Sequence, residues 1–218
     1  MTLLEDVYSA KERQDAFAHQ IIGEGGFFYD FGCEWADGCS RTTTGAKQGN
    51  NTVALEREFG WSGLLFDIEQ YGGDCGRSKS TFFRIDLSKE MDRLKQILKD
   101  NTPTKTVDYV SIDTGTNATI PPIQCMFDCG IDFKVMTLEH DLYVGHEDQV
   151  AIRRDSRKLL HDNGYFLLVG DVTGGEEAGF PHEGSPWEDW WINPTYCDER
   201  LTSIQENNLF FEDCITKF

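Results

Sequence analysis

Short apolar runs recur along the chain, each followed by a polar or turn-forming stretch. "FFYDF", "GLLF", "TFFRI", "VDYVSI", "FKVMTL" and "YFLLV" are too short for helices, and several are rich in aromatic or β-branched residues, so each predicts a strand. Between them lie segments with helical spacing. "NNTVALEREFG" predicts a helix with Asn51 as N-cap and Gly60 just past its end. "SKEMDRLKQILKDN" starts after Ser88 and carries Met91, Leu94, Ile97 and Leu98 on one stripe, and "QVAIRRDSRKLLHDNG" stops at Gly164. Leu3, Leu4, Val7, Tyr8, Phe17 and Ile21 predict a leading amphipathic helix between Leu3 and Ile22. From Gly170 to Pro194 the rhythm breaks: a stretch rich in Gly, Pro, acids and Trp reads as a long loop, with a last strand around Trp190 to Ile192.

Strands that alternate with helices and are often apolar throughout specify a parallel sheet covered on both faces. The expected fold is α/β, a doubly wound and mainly parallel sheet of seven strands. No repeat, low-complexity tract or linker divides the 218 residues, which read as one domain.

Charge narrows the partners. With 38 acidic against 20 basic residues the formal charge is −18, which repels a nucleic-acid backbone at long range. No stretch approaches the ~20 apolar residues of a spanning helix and no basic, apolar leader is present, so a soluble, cytoplasmic protein without membrane partners is expected. Seven cysteines, an odd number, point to reduced thiols. Neither Cys33 with Cys39 nor Cys125 with Cys129 has the second pair that a structural zinc site requires.

In an open parallel sheet the ligand lies beyond the carboxyl ends of the strands. Asp30 and Gly32 close the first strand and Gly38 ends the loop after it; glycine there would let a cofactor lie against bare backbone. Asp67 ends the second strand, where an acid can accept both ribose hydroxyls of an adenosine, and Asp86 ends the third, where it can receive the adenine amino group. The G-x-G-x-x-G fingerprint is absent, and Glu34 and Asp37 stand where a pyrophosphate would need neutral or positive surroundings. An acidic first loop suits a cationic cofactor without phosphate, such as S-adenosylmethionine.

At these positions the chain resembles the FkbM-type S-adenosylmethionine-dependent methyltransferases. "FYDFGCEWADG" is similar to the family's "FVDIGANDG", and "NTVALEREFGWSG" to its "NT..LE..LGW.G". "DYVSIDTGTNA" is similar to "DYLSLDTEGSE", and "MTLEHD" to "ITVEHN". The four motifs run in the family's order over roughly Gly26 to Val169. Two departures stand out: the first loop is two residues longer than the family's, and Gly115 replaces the glutamate after Asp113 and Thr114. The resemblance implies a Rossmann-like class I methyltransferase fold, cofactor contacts that include Asn51, and O-methylation of a hydroxyl on a small molecule, a sugar or glycan among them.

O-methylation needs the reacting pair aligned and the hydroxyl's proton removed. Asp113 ends the fourth strand, and Glu139, His140 and Asp141 end the fifth. His140 is the natural general base. Asp113 and Glu139, with His140, also make a site for Mg2+ or Mn2+; the alternative is that the carboxylates orient the base or hold the amino acid end of the cofactor. Trp187, Trp190 and Trp191 serve either as an acceptor platform near the long loop or, more often for such large apolar rings, as packing. The basic residues of "AIRRDSRK" read as a solvated helix face. Two other readings of the whole chain stay open: a nicotinamide-dependent oxidoreductase on a similar sheet, and a catalytically inactive cofactor-binding or interaction domain.

Overall fold

A computed structural model describes residues 7–10, 12–33, 50–68, 77–174, 181–182 and 184–217. Gly38, Glu34, Asp37, Leu3, Leu4, Cys39 and Cys75 lie outside the described residues.

The apolar runs are strands. β1 (Phe27–Phe31), β2 (Ser62–Asp67), β3 (Ser80–Arg84), β4 (Thr106–Ile112), β5 (Asp132–Glu139), β6 (Phe166–Gly174), β7 (Ser185–Ile192) and a two-residue β8 (Glu206–Asn207) form one sheet in the order β3-β2-β1-β4-β5-β7-β6-β8. β1 to β5 pair in parallel, whereas β7 runs antiparallel between β5 and β6. The helices are α1 (Gln14–Ile22), α2 (Val53–Phe59), α3 (Met91–Asn101), α4 (Ile120–Asp128), α5 (Glu147–Asp162) and α6 (Phe211–Lys217).

Helices cover both faces. Leu94, Ile97 and Leu98 of α3, Ile123 and Met126 of α4 and Leu160 of α5 pack on Tyr29, Phe66, Val110 and Met136. On the other face Phe17 of α1, Leu55 of α2 and Phe211 of α6 pack on Phe28, Leu65, Tyr109 and Trp190. Full burial of each such side chain contributes roughly 1.5–3 kcal/mol against chain entropy. Alternation along the parallel strands, with both faces apolar, is what sends neighbouring residues such as Phe28 and Tyr29 to opposite cores.

Several boundaries differ from the sequence expectation. α1 begins at Gln14, and Asp15 turns back to accept the amides of Ser9 (2.6 Å) and Ala10 (2.9 Å), which lie outside the helix. α2 begins at Val53 with Thr52 in the N-cap position, one residue after Asn51, whose amide instead donates to Ser111 Oγ (3.0 Å). The expected loop after Gly170 is in part strand, since β6 continues to Gly174 and β7 starts at Ser185. The three tryptophans are packing: Trp187 is 3% exposed, Trp190 and Trp191 0%. Trp190 stacks on Phe17 at 4.4 Å between ring centres, and Trp191 meets His161 edge-on. Among the described residues no helix is long and apolar enough to cross a membrane, and the described cysteines form no disulfide.

Candidate functional site

Strand order reverses between β1 and β4, and the crevice at that point is where open sheets bind ligands. A cavity of about 530 Å³ opens there, a volume suited to a nucleoside-sized ligand. Gly32, Asp67, Asp86 and Asp113 all line it, at the exits of β1, β2, β3 and β4, with Ile68, Ile85 and Leu87 supplying apolar wall.

Gly32 has a cause within the protein. Its φ is +83°, and a Cβ there would stand 1.6 Å from the carbonyl oxygen of Asp113, so only glycine lets the β1 and β4 exits approach. The close neighbour is backbone, and bare access for a cofactor is at most a second benefit. Asp86 is held by its own turn: Ser88 donates its amide (3.0 Å) and hydroxyl (2.5 Å), and Lys89 its ammonium (2.8 Å). These bonds, Lys89 foremost, lower the carboxyl to about 2.

Asp30 is not among the residues that line the cavity. It is 1% exposed and accepts from Thr52 Oγ1 (2.5 Å); burial pushes its carboxyl up to about 6, against the pull of Arg77. Arg77 is itself buried and donates to Glu56 (3.2 Å), Asn50 (3.4 Å) and Thr52. Glu56 also accepts the amides of Ser78 (2.6 Å) and Lys79 (2.8 Å), so this network ties the approach to β3 onto α2. Asp30 and Asn51 are therefore engaged within the protein, Asp30 with Thr52 and Asn51 with Ser111.

At the β5 exit the expected trio separates. Glu139 has the carboxylates of Asp113 and Asp141 as charged neighbours, and Tyr143 has Asp141 and Glu139. Burial first, then the charge of Asp113, holds Glu139 well above the usual carboxylate range, and burial also raises Asp141. His140 turns the other way. It is 2% exposed, its Nδ1 accepts the Leu142 amide (3.2 Å), and its Nε2 faces Asp189 at 3.4 Å and Asp171 at 3.6 Å. The ring is thus no part of the wall that Asp113 forms, and the expected metal set of Asp113, Glu139 and His140 does not converge.

His140, Asp171 and Asp189 do bring three ligand atoms within 4.8 Å of one another. That space already holds cations, however. Arg153 forks onto Asp171 (2.6 and 2.5 Å) and Arg157 onto Asp189 (2.7 and 2.6 Å). A metal ion would have to displace both guanidinium groups, so the geometry is that of an ion-pair lock. This overturns the expectation of a solvated face for Arg153 and Arg157, although Arg154 and Lys158 are solvated, paired with Asp155 and Asp162.

Sequence reasoning missed Arg77 and Glu56, and the Arg153 and Arg157 lock. The i,i+4 spacing of Arg153 and Arg157 was the one visible signal, since it puts both on one side of α5. No protein-family model and no curated protein matches this chain.

Proposed function

We propose that the chain is an S-adenosylmethionine-dependent O-methyltransferase of the FkbM type, with a class I methyltransferase sheet, acting on a neutral hydroxyl acceptor of the sugar class. The observation that carries this reading is the meeting of Asp67, Asp86 and Asp113, from three strand exits, on one nucleoside-sized cavity. Asp67 would take the ribose diol, with Ile68 and Leu87 as apolar surface for the base; the adenine amino group would have to share Asp86 with Ser88 and Lys89. The cofactor supplies a methyl group on a sulfonium. Acidic walls favour that positive charge and disfavour an anionic acceptor.

The acidity also weighs against a nicotinamide dinucleotide, whose pyrophosphate would lie between Asp67 and Asp113. Packing of the three tryptophans removes a stacking platform from the argument for sugars, so the acceptor class rests on charge and on the motifs. Calorimetry decides between cofactors: S-adenosylmethionine is expected to bind and NAD to leave no heat. Asp67→Ala is expected to weaken binding by ~1.5–3 kcal/mol, about ten- to a hundredfold. Unchanged affinity in the variant would place the ribose elsewhere. Binding without methyl transfer to any acceptor would favour an inactive binding domain.

A further inference from the structure

Two of the residues that line the cavity are glycines, and the fold requires only one of them. Gly32, at φ +83°, has no room for a Cβ against the Asp113 carbonyl. Gly115 differs on both counts. Its φ is −62° and its ψ 158°, a conformation open to every residue, and a Cβ built on it meets nothing within 4 Å among the described residues. Glycine here costs backbone entropy on folding and relieves neither a contact nor strain. The space beside it is framed by a tied backbone. The Asp113 amide donates to Phe31 O (2.9 Å), the Gly115 carbonyl accepts the Ala118 amide (2.8 Å), and the hydroxyls of Thr114 and buried Thr119 meet at 3.2 Å.

The cavity also divides by charge. Asp67, Asp86 and Lys89 come from the β2 and β3 exits, whereas the loop after β4 contributes Thr114, Gly115, Asn117 and Ala118, none of them ionisable. Thr114 is occupied with Thr119, but Asn117 is exposed, and its amide makes no hydrogen bond among the described residues. A carboxamide carries donors and an acceptor together, so it can hold a hydroxyl by its proton or by its lone pairs. The motif that this stretch resembles has a glutamate where Gly115 stands, which would bring bulk and charge into the same place. A nucleoside on the charged part leaves a neutral, polar wall with an unfilled position for a second ligand.

We propose that the loop after β4 is the acceptor subsite and that Gly115 is its specificity-determining residue, admitting a cyclic polyol whose reacting hydroxyl is secondary while Asn117 holds a neighbouring hydroxyl. The proposal deepens the methyltransferase reading above and rests on it. A primary hydroxyl sits at the end of a CH2 arm and can reach past a side chain. A secondary ring hydroxyl has carbon on both sides of its own carbon and needs room at its shoulder, which is what the missing side chain of Gly115 leaves. Even one methyl group in that room would tell, because a single methylene changes discrimination by roughly 10–200-fold in a fitted pocket. The uncharged wall suits a neutral ring, since no ion there has to be desolvated when the ring arrives.

Gly115→Ala and Gly115→Val test the assignment. Both are expected to fold, Gly115→Ala with a Tm at or above that of the wild type, because the backbone there suits alanine and the unfolded chain loses freedom. Calorimetry is expected to give both variants the wild-type affinity for S-adenosylmethionine. With the methyl pyranosides of xylose, arabinose and rhamnose, whose free hydroxyls are all secondary, kcat/KM is expected to fall about tenfold in Gly115→Ala and about a hundredfold in Gly115→Val, chiefly through KM. With ethylene glycol, whose hydroxyls are primary, the loss is expected to stay below about threefold. Asn117→Ala is expected to raise KM for the pyranosides roughly fivefold with kcat nearly unchanged. Wild-type kcat/KM for the pyranosides in Gly115→Val, equal losses for both acceptor types, or ethylene glycol methylated with the pyranosides inert overturns the subsite. So does weakened S-adenosylmethionine binding in Gly115→Val, because the space would then belong to the cofactor, and so does a lower Tm in Gly115→Ala, because the glycine would then serve the fold. All of these leave the methyltransferase reading intact. Absence of S-adenosylmethionine binding in the wild type, or no methylation of any of these acceptors, overturns that reading and the proposal with it.

Discussion

Glu188 and Asp189 are neighbours on β7, both almost completely buried, and their carboxyls are shifted in opposite directions. Burial pushes Glu188 well above the usual carboxylate range, and the Trp190 indole donates to it; no cation is among the strongest influences on it. Burial acts on Asp189 in the same direction, yet the Arg157 fork and His140 outweigh it and lower the carboxyl to about 2. The pleat sends the two side chains to opposite faces of the sheet, one toward the carboxyl cluster of Asp113, Glu139 and Asp141, the other toward α5. Burial alone therefore does not decide whether an acid in this molecule is charged. A cation within reach does, and α5 supplies it on one side only.

The widest gap between the two sides should appear in Asp189→Asn. It leaves Arg157 with a single carboxylate and breaks a buried ion pair, for which a loss of about 3 kcal/mol in urea unfolding is expected, the lower end of the usual range because Arg157 is partly exposed. The pair also sets the acid limb of stability. A carboxyl lowered from 3.8 to about 2 contributes stability that is fully present above its unfolded value and is lost as pH falls through the folded one, on the order of 2 kcal/mol between roughly pH 4 and 2. Thermal melts of Asp189→Asn should lack that limb.

Asp30 tests the opposite sign with an intermediate effect. Its carboxyl is raised from 3.8 to about 6, so its contribution is fully present below the unfolded value and fades as pH rises through about 6. Asp30→Asn should flatten the stability profile across that window by on the order of 2 kcal/mol. A profile unchanged by the substitution would mean that Arg77 neutralises Asp30 as fully as Arg157 does Asp189. The smallest effect is expected from Glu188→Gln, less than about 1 kcal/mol at pH 7, because an amide can keep the acceptor for Trp190 and burial already opposes a charge there. Equal losses in Glu188→Gln and Asp189→Asn would break the comparison.

Much of the fold was legible. Each of the six apolar runs falls on a strand, with Ile85 and Tyr165 one residue outside β3 and β6, and α2, α3 and α5 occupy the predicted helical segments, because period and punctuation are local properties. α4 was not, since "IPPIQCMFD" carries two prolines in its first turn and only Gln124 and Asp128 as polar positions to set against its apolar face. β8 is two residues long and exists through its pairing with β6, which local sequence does not announce. At the site, Asp67, Asp86 and Asp113 line one cavity as strand-end logic expects. Asp30 and Asn51 failed as cavity residues because the side to which a side chain turns at a strand or helix end depends on what packs there.

What the amino-acid order determined by itself was the alternation of strands and helices, the acidic strand exits, and with them the place of a crevice at the reversal between β1 and β4. Only the tertiary structure decided which acids meet a cation. Arg157 and Asp189 are 32 positions apart, and Arg77 reaches Glu56 across 21, distances over which no periodicity carries information. It also decided that His140 faces Asp171 and Asp189 while Glu139 and Asp141, on either side of it in the chain, face Asp113. Hydrophobic pattern is short-ranged and survives averaging over a window. The protonation of a buried carboxyl depends on one or two atoms within a few ångströms, and those come from whichever segments the fold brings together.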